Sequence, residues 1–414
     1  MSFRACARAA TLARAMTATK LSNLTRLAAL AALLLGACQT PDYGRPLPPG
    51  APALLPLGKG EIRPRFAETW YERDELLPAL ELSLEWFARP SSQEHFPCEG
   101  ITHERARASL ARFKELLLSA RDGDEFDSRV TQEFQIFKSA GWNAKGGGVL
   151  FTGYCTPILD GSLSADATYQ HPLYALPPDL AKGKNGEILG QKQDDGSLAP
   201  YPTRAAIEAS GMLKGKGLEL VYLRDPLDAF IAHVNGSAVI RLPDGSEKRF
   251  GYHGKNGREY RSLGKALVRD KHIAAKDISL AAIRAWGEKN PDLLQKYIEE
   301  DESFVFFLPI DGPPKGSLNV DVTGGRTLAT DKSLFPRGGL VYVDVKAPTS
   351  GKSIYVYDRM MLDQDTGGAI RTAGRADIYI GVGDEAEQIA GGTKHPGQMY
   401  YLFLKSDADS PRGR

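Results

Sequence analysis

Apolar residues recur with two different periods along this chain of 414 residues. Leu76, Leu80, Leu84 and Phe87 fall at helical spacing, and residues 102 to 119 carry a second amphipathic pattern ending at Asp122-Gly123, so both stretches are expected to be helices with a core-facing stripe. From Gly147 onward the pattern changes to short apolar runs broken by Gly, Pro, Asn and Asp, with a helical interruption at residues 276 to 300. Near the end, Ile378, Ile380 and Val382 alternate with Asp377, Tyr379 and Gly381, the period of a half-buried strand. Asp377 and Tyr379 are then expected to point away from the buried side. Ile354 and Val356 read as a strand entering a turn, and Asp363 and Asp365 would share a face if that strand runs so far. No internal repeat is apparent. The fold class these patterns predict is mainly β with helical additions.

The N-terminus follows neither period. Arg4, Arg8, Arg14, Lys20 and Arg26 precede any acid, Leu27 to Leu35 form an apolar run too short to span a bilayer well, and Leu35-Gly36-Ala37-Cys38 looks like a bacterial lipobox. Residues 1–37 are therefore expected to be a lipoprotein signal peptide, with Met16 as an alternative start and Cys38 as the lipidated residue. Gln39 after the cysteine resembles lipoproteins sorted to the outer membrane. Loss of the five cations takes the net charge from +1 to −4, which removes the electrostatic case for nucleic acid. Residues 38–63, rich in Pro, Gly and Ala, are expected to be a flexible tether, and residues 406–414 a disordered tail. Cys6 and Cys38 fall in or beside the signal, leaving Cys98 and Cys155 as either a disulfide or two free thiols. Seven scattered histidines and no Cys-x-x-Cys give no support for a metal, and no cofactor is expected.

The chemistry is expected near the C-terminus, where Asp363, Asp365 and Asp377 stand around Gly367-Gly368. Glycines permit positive φ and let a ligand approach the backbone, and a carboxyl crowded by other carboxylates or desolvated keeps its proton and can act as a general acid. Taken alone, Asp-x-Gly-Gly is also an ordinary turn with solvated acids.

The order of motifs decides between these readings. Asp365 to Ile370, Arg375 to Tyr379, and Gly381 and Gly383 resemble the terminal segment of the membrane-bound lytic murein transglycosylase A family. Phe151-Thr152-Gly153-Tyr154-Cys155-Thr156-Pro157, His171 to Tyr174, Tyr201 to Ile207, Gly254 to Gly257, Tyr260 to Lys265, Ala282 to Trp286 and Ser303 to Phe307 also match in order, so the resemblance covers roughly residues 65 to 405. Cys155 departs where the family has a tyrosine.

The resemblance implies a double-psi β-barrel built from residues 64–156 and 302–405, a second β domain at 157–301 inserted within it, and a groove between them. Phe335 to Val343 suits a barrel strand after a turn. The implied function is that of a lytic transglycosylase, cleaving the MurNAc-GlcNAc β-1,4 bond of peptidoglycan with formation of 1,6-anhydro-MurNAc ends. Asp365 is expected to act as general acid and then base, with Asp377 and Asp363 in support. Thr152, Gly153, Tyr154, Thr366, Gly367, Gly368 and Tyr379 are expected to bind sugar, and Arg204, Lys255, Asn256, Tyr260 and Arg261 are candidates for contacts from the inserted domain. Gly-Lys-Asn-Gly is equally a hairpin signature. The partners implied are peptidoglycan glycan strands, the membrane through Cys38, and cell-wall synthases or scaffold proteins, at the periplasmic face of the outer membrane. A hydrolase using water, or a non-catalytic cell-wall-binding lipoprotein, are the alternatives.

Overall fold

In a computed structural model, residues 40–58, 60–183, 187–345 and 357–406 are described. The expected signal peptide, Cys6, Cys38, Ile354, Val356 and the tail from 407 lie outside the described residues. The first strands are β1 (Leu54–Pro56), β2 (Phe134–Ser139), β3 (Val149–Thr156), β4 (Ile158–Ser162), β5 (His171–Tyr174), β6 (Leu180–Lys182), β7 (Ile188–Lys192) and β8 (Leu198–Ala199). They are followed by β9 (Glu219–Leu223), β10 (Ser237–Arg241), β11 (Glu247–Lys255), β12 (Val305–Ile310), β13 (Thr327–Ala329), β14 (Leu340–Val345), β15 (Tyr357–Asp365), β16 (Arg375–Val382) and β17 (Lys394–Leu404).

The largest sheet runs β1-β2-β17-β14-β15-β13-β16-β3, and a further β17–β3 pairing closes its last six strands into a barrel. The long β17 makes this possible: Lys394 to Gly397 pair with β3, while Tyr400 to Leu404 pair with β2. Two pairings are parallel, β13 with β15 and β16 with β3. The barrel strands are buried on their apolar residues, with Phe151, Leu328, Val341, Val343, Met360, Leu362, Ala376 and Ile378 in one core with Leu76, Leu80 and Phe87. Those last three lie on the helix Arg73–Ala88, where the helical spacing predicted one.

A second sheet, β12-β11-β10-β4-β9-β5, has its own core around Leu159, Leu173, Val221, Phe250 and Phe307. Helices Leu263–Arg269, Leu280–Lys289 and Pro291–Glu299 surround a separate apolar cluster beside it. The chain returns through β12, which pairs along β11 from Val305 opposite Lys255 to Ile310 opposite Arg249.

Several expectations are corrected by physical detail. Composition made residues 38–63 a tether, but Ala53 and Leu54 are buried, β1 pairs with β2, and Glu99 Oε2 accepts from the N–H groups of Ala53 and Leu54 at 2.8 and 3.3 Å. Asp122 does not close a helix. The helix His103–Ser119 has ended before it, and Asp122 caps the next, Gly123–Glu133, by accepting from Glu125 N–H. Helices Arg204–Ser210 and Pro226–Asn235 were overlooked, although each begins with a cap, Thr203 or Asp225, and ends at a left-handed glycine, Gly211 or Gly236.

Gly254 to Gly257 is not a hairpin. Asn256 is buried, donates to the carbonyls of Pro202 and Glu302 at 2.9 and 2.8 Å, and accepts from Phe304 N–H at 2.9 Å. Arg204, also buried, donates to the carbonyls of Asp301 and Ser303. Both are staples of the inserted sheet's return. Replacing Asn256 by Ala leaves the Pro202 carbonyl and the Phe304 N–H without this partner, while Glu302 O keeps Arg204 N–H, so the urea midpoint should fall by the equivalent of about 2 kcal/mol. An unchanged midpoint would mean the side chain serves only a ligand.

Candidate active site

The parallel pairing of β16 with β3 sets Asp377 opposite Thr152 and Tyr379 opposite Tyr154. The other parallel pairing brings the end of β15 to the same place, with a register shift between Leu328, opposite Asp363, and Ala329, opposite Asp365. That irregularity separates the first two carboxylates. Asp363 is fully buried; it accepts from Thr330 Oγ1 at 2.9 Å, from Tyr401 Oη at 2.7 Å and from Lys332 Nζ. Asp365 is half-buried and accepts from Tyr154 Oη at 2.5 Å and from the N–H groups of Ser317 and Thr366, both at 2.8 Å. The two share no direct donor: Asp363 is spent on buried partners and Asp365 on a separate set.

Asp377 is half-buried and accepts from Thr152 Oγ1 at 2.9 Å, while Arg375 donates to the same hydroxyl at 3.2 Å. Its second oxygen has no hydrogen-bond donor among the described residues. Burial pushes the Asp377 carboxyl up to about 7, against the pull of Thr152 and Arg375, and the charge of Asp365 adds to the rise. Burial also raises Asp365, but its donors Tyr154, Thr366 and Ser317 all oppose that shift by stabilising the carboxylate. The two carboxyls repel each other, and it is Asp377, with fewer donors, that is pushed the further.

Of the expected sugar contacts, Tyr154 and Thr152 sit beside the carboxyls with their hydroxyls already engaged. Tyr379 does not face outward. It is buried, its ring lies 5.2 Å from that of Tyr154, and its hydroxyl pairs with Thr156 Oγ1 at 2.9 Å, because β16 is covered on both faces. Gly153 is a packing position, since a Cβ there would stand 2.8 Å from Ala390 Cα in the helix Asp384–Gly392. Thr366 is exposed and its hydroxyl donates to Thr330 O at 2.9 Å. Gly367 and Gly368 lie on the loop after Asp365, and a Cβ on Gly368 would meet Tyr260 Cβ at 3.1 Å. The loop thus comes against the inserted sheet's region.

Sequence reasoning missed Ser317 and Lys332. A backbone N–H has no sequence signature, although Gly316 marks the approach, since a Cβ there would stand 2.7 Å from Gln364 O. Cys98 and Cys155 are separate free thiols, which removes the disulfide alternative, and burial pushes them up to about 11 and about 12.

Residues 150–308 match the family model described as the MltA specific insert domain, and residues 326–403 match the 3D domain. The membrane-bound lytic murein transglycosylase A of Escherichia coli strain K12 is 35% identical over 285 residues, 67% of this chain and 72% of that protein. The protein of the same name from Vibrio cholerae serotype O1 is 33% identical, over 64% of this chain and 68% of its own length. A crystal structure of E. coli MltA with bound chitohexaose superposes with a TM-score of 0.65 at 27% identity, covering 89% of this chain and all of that one.

An unfolded Asp titrates at about 3.9, whereas burial pushes Asp377 up to about 7 in the fold. Between these values the folded protein holds a proton that the unfolded chain releases, so this group costs stability as pH rises through that window. Thermal melts of Asp377→Asn should match wild type at pH 4 and exceed it at pH 8; a difference independent of pH would refute the raised value.

Proposed function

The chain belongs to the membrane-bound lytic murein transglycosylase A family, and we infer from this that it is a peptidoglycan lytic transglycosylase, a lyase-type enzyme of the bacterial cell envelope. The bond cut is the MurNAc-GlcNAc β-1,4 link, with closure of a 1,6-anhydro ring on MurNAc. One carboxyl suffices for this reaction, because the C6 hydroxyl of the sugar attacks its own C1 and no water needs activating. The acid must hold a proton near neutrality and have an oxygen free to deliver it.

Asp377 meets both requirements better than Asp365, and this contrast between the two carboxyls carries the assignment. In the proposed sequence, Asp377 protonates the glycosidic oxygen as the C1–O bond breaks. The C6 oxygen then bonds to C1, and its proton passes back to Asp377. Asp365, whose carboxylate form Tyr154, Ser317 and Thr366 favour against its burial, faces the positive charge that develops at C1. Asp377 is preferred to the expected Asp365 because three donors oppose the rise that burial causes at Asp365, whereas Asp377 has one donor and is pushed up to about 7. Thr152 and Arg375 position Asp377, Tyr154 and Thr366 position Asp365, and Tyr379 supports Tyr154 from below. Gly367 and Gly368 let the sugar approach the loop.

The closed six-stranded ring with two parallel pairings supports reading the barrel as double-psi. The inserted domain is best drawn as residues 157–310 rather than 157–301, since β12 pairs with β11. Anchoring through a lipid on Cys38 at the periplasmic face of the outer membrane completes the reading; no helix among the described residues is long and apolar enough to cross a membrane.

Purified peptidoglycan digested with the chain beginning after Cys38 should release anhydro-muropeptides, detected by mass spectrometry. Products heavier by one water would identify a hydrolase, and no release a binding protein. Asp377→Asn should lower kcat by about a thousandfold or more, and by more than Asp365→Asn does. Because the Asp365 charge raises Asp377, the residual activity of Asp365→Asn should lose its alkaline limb at lower pH than wild type.

A further inference from the structure

Two cations beside the acid site take no part in the chemistry above. Lys255 ends β11, where it pairs with Val305, and its neighbour Asn256 is locked by three hydrogen bonds, so the backbone that presents it is fixed. Its side chain is half-buried, and its amine has neither a hydrogen bond nor an ion pair among the described residues. Arg371 is exposed on the loop that follows Asp365, and its guanidinium makes one long contact, Nε to Gly368 O at 3.3 Å. The approach of Gly368 to Tyr260 brings this loop against the segment that follows Lys255. Tyr260 lies in the field of Asp377 as well, which puts this pair on the side of the acid site.

Burial and then the facing charge of Arg371 depress the Lys255 amine, while Asp301 and Glu259 oppose the shift. Neither acid neutralises the pair. Asp301 is committed to the N–H groups of Arg261 and Ser303 and to Arg204, and Glu259 is exposed. Two like charges held in each other's field, one partly desolvated, form an unfavourable arrangement that a bound anion relieves.

Resting on the transglycosylase reading, we propose that Lys255 and Arg371 form a carboxylate clamp for the acidic group carried on the O3 arm of MurNAc. That arm distinguishes MurNAc from GlcNAc, and it ends either in a free lactyl carboxylate or in a peptide stem that bears its own carboxylates. The clamp supplies what the acid site lacks, a means of telling murein from a neutral glycan and of seating MurNAc, rather than GlcNAc, with its C1 at Asp377.

The test uses three probes: glycan strands stripped of peptide, strands with intact stems, and the neutral oligomer chitohexaose. Lys255→Gln and Arg371→Gln should each raise KM on at least one anionic strand by about fivefold or more with kcat within about twofold, and leave chitohexaose affinity unchanged. Lys255→Arg should restore most of the loss, and the wild-type rise of KM with salt should flatten in the double variant. Loss confined to stem-bearing strands assigns the stem carboxylate, and loss on stripped strands assigns the lactyl group. Unchanged KM on both, or an equal loss of chitohexaose binding, overturns the clamp. If wild type releases no anhydro products, the reaction reading fails on its own, and strand binding relative to chitohexaose still decides the clamp.

Discussion

The site depends on how β15 ends. Gln364 is fully buried, with its side-chain amide donating to Ala79 O and Ser83 Oγ on the helix Arg73–Ala88 and accepting from Thr327 Oγ1. This residue anchors the strand to the helix at the point where the pairing with β13 shifts register. In a regular strand Asp363 and Asp365 would face the same way. The anchored irregularity instead leaves Asp363 fully buried, where Lys332 and Tyr401 satisfy it, and Asp365 half-buried among its own donors.

From that separation follows the division of labour between the carboxyls. Asp365 gathers hydrogen bonds suited to an anion, and its charge acts on Asp377, which sits across the β16–β3 pairing with one protein donor and a free oxygen. Burial desolvates both acids, so the raised pKa of Asp377 comes first from desolvation, with the charge of Asp365 adding to it. Lytic cleavage asks for such a group, a single acid that is protonated before bond breaking and accepts a proton after it.

Much of this was legible in the sequence, and the failures have physical causes. Helical spacing located the helix around Leu76 to Phe87, and the ordered motifs identified the family. Alternation in β16 was read correctly as a strand but wrongly as half-buried, because a barrel strand flanked by the helix Asp384–Gly392 hides both faces and Tyr379 with them. Composition misread residues 53 to 56, where two apolar residues in a Pro-rich stretch suffice to dock an edge strand. The proposed preference for Asp377 over Asp365 draws on what a one-dimensional reading does not encode. It turns on backbone donors from Ser317 and Thr366 and on desolvation, neither of which spacing encodes.

The most direct test of the account is carbon-13 NMR of the aspartate carboxyls across a pH titration, with Asp365→Asn and Asp377→Asn used to assign the two resonances. The account predicts that Asp377 titrates near 7 in the wild type and lower once Asp365 is neutralised, while Asp365 titrates below Asp377. An Asp377 that titrates at the ordinary carboxylate value, or an Asp365 that keeps its proton to higher pH than Asp377, would contradict it.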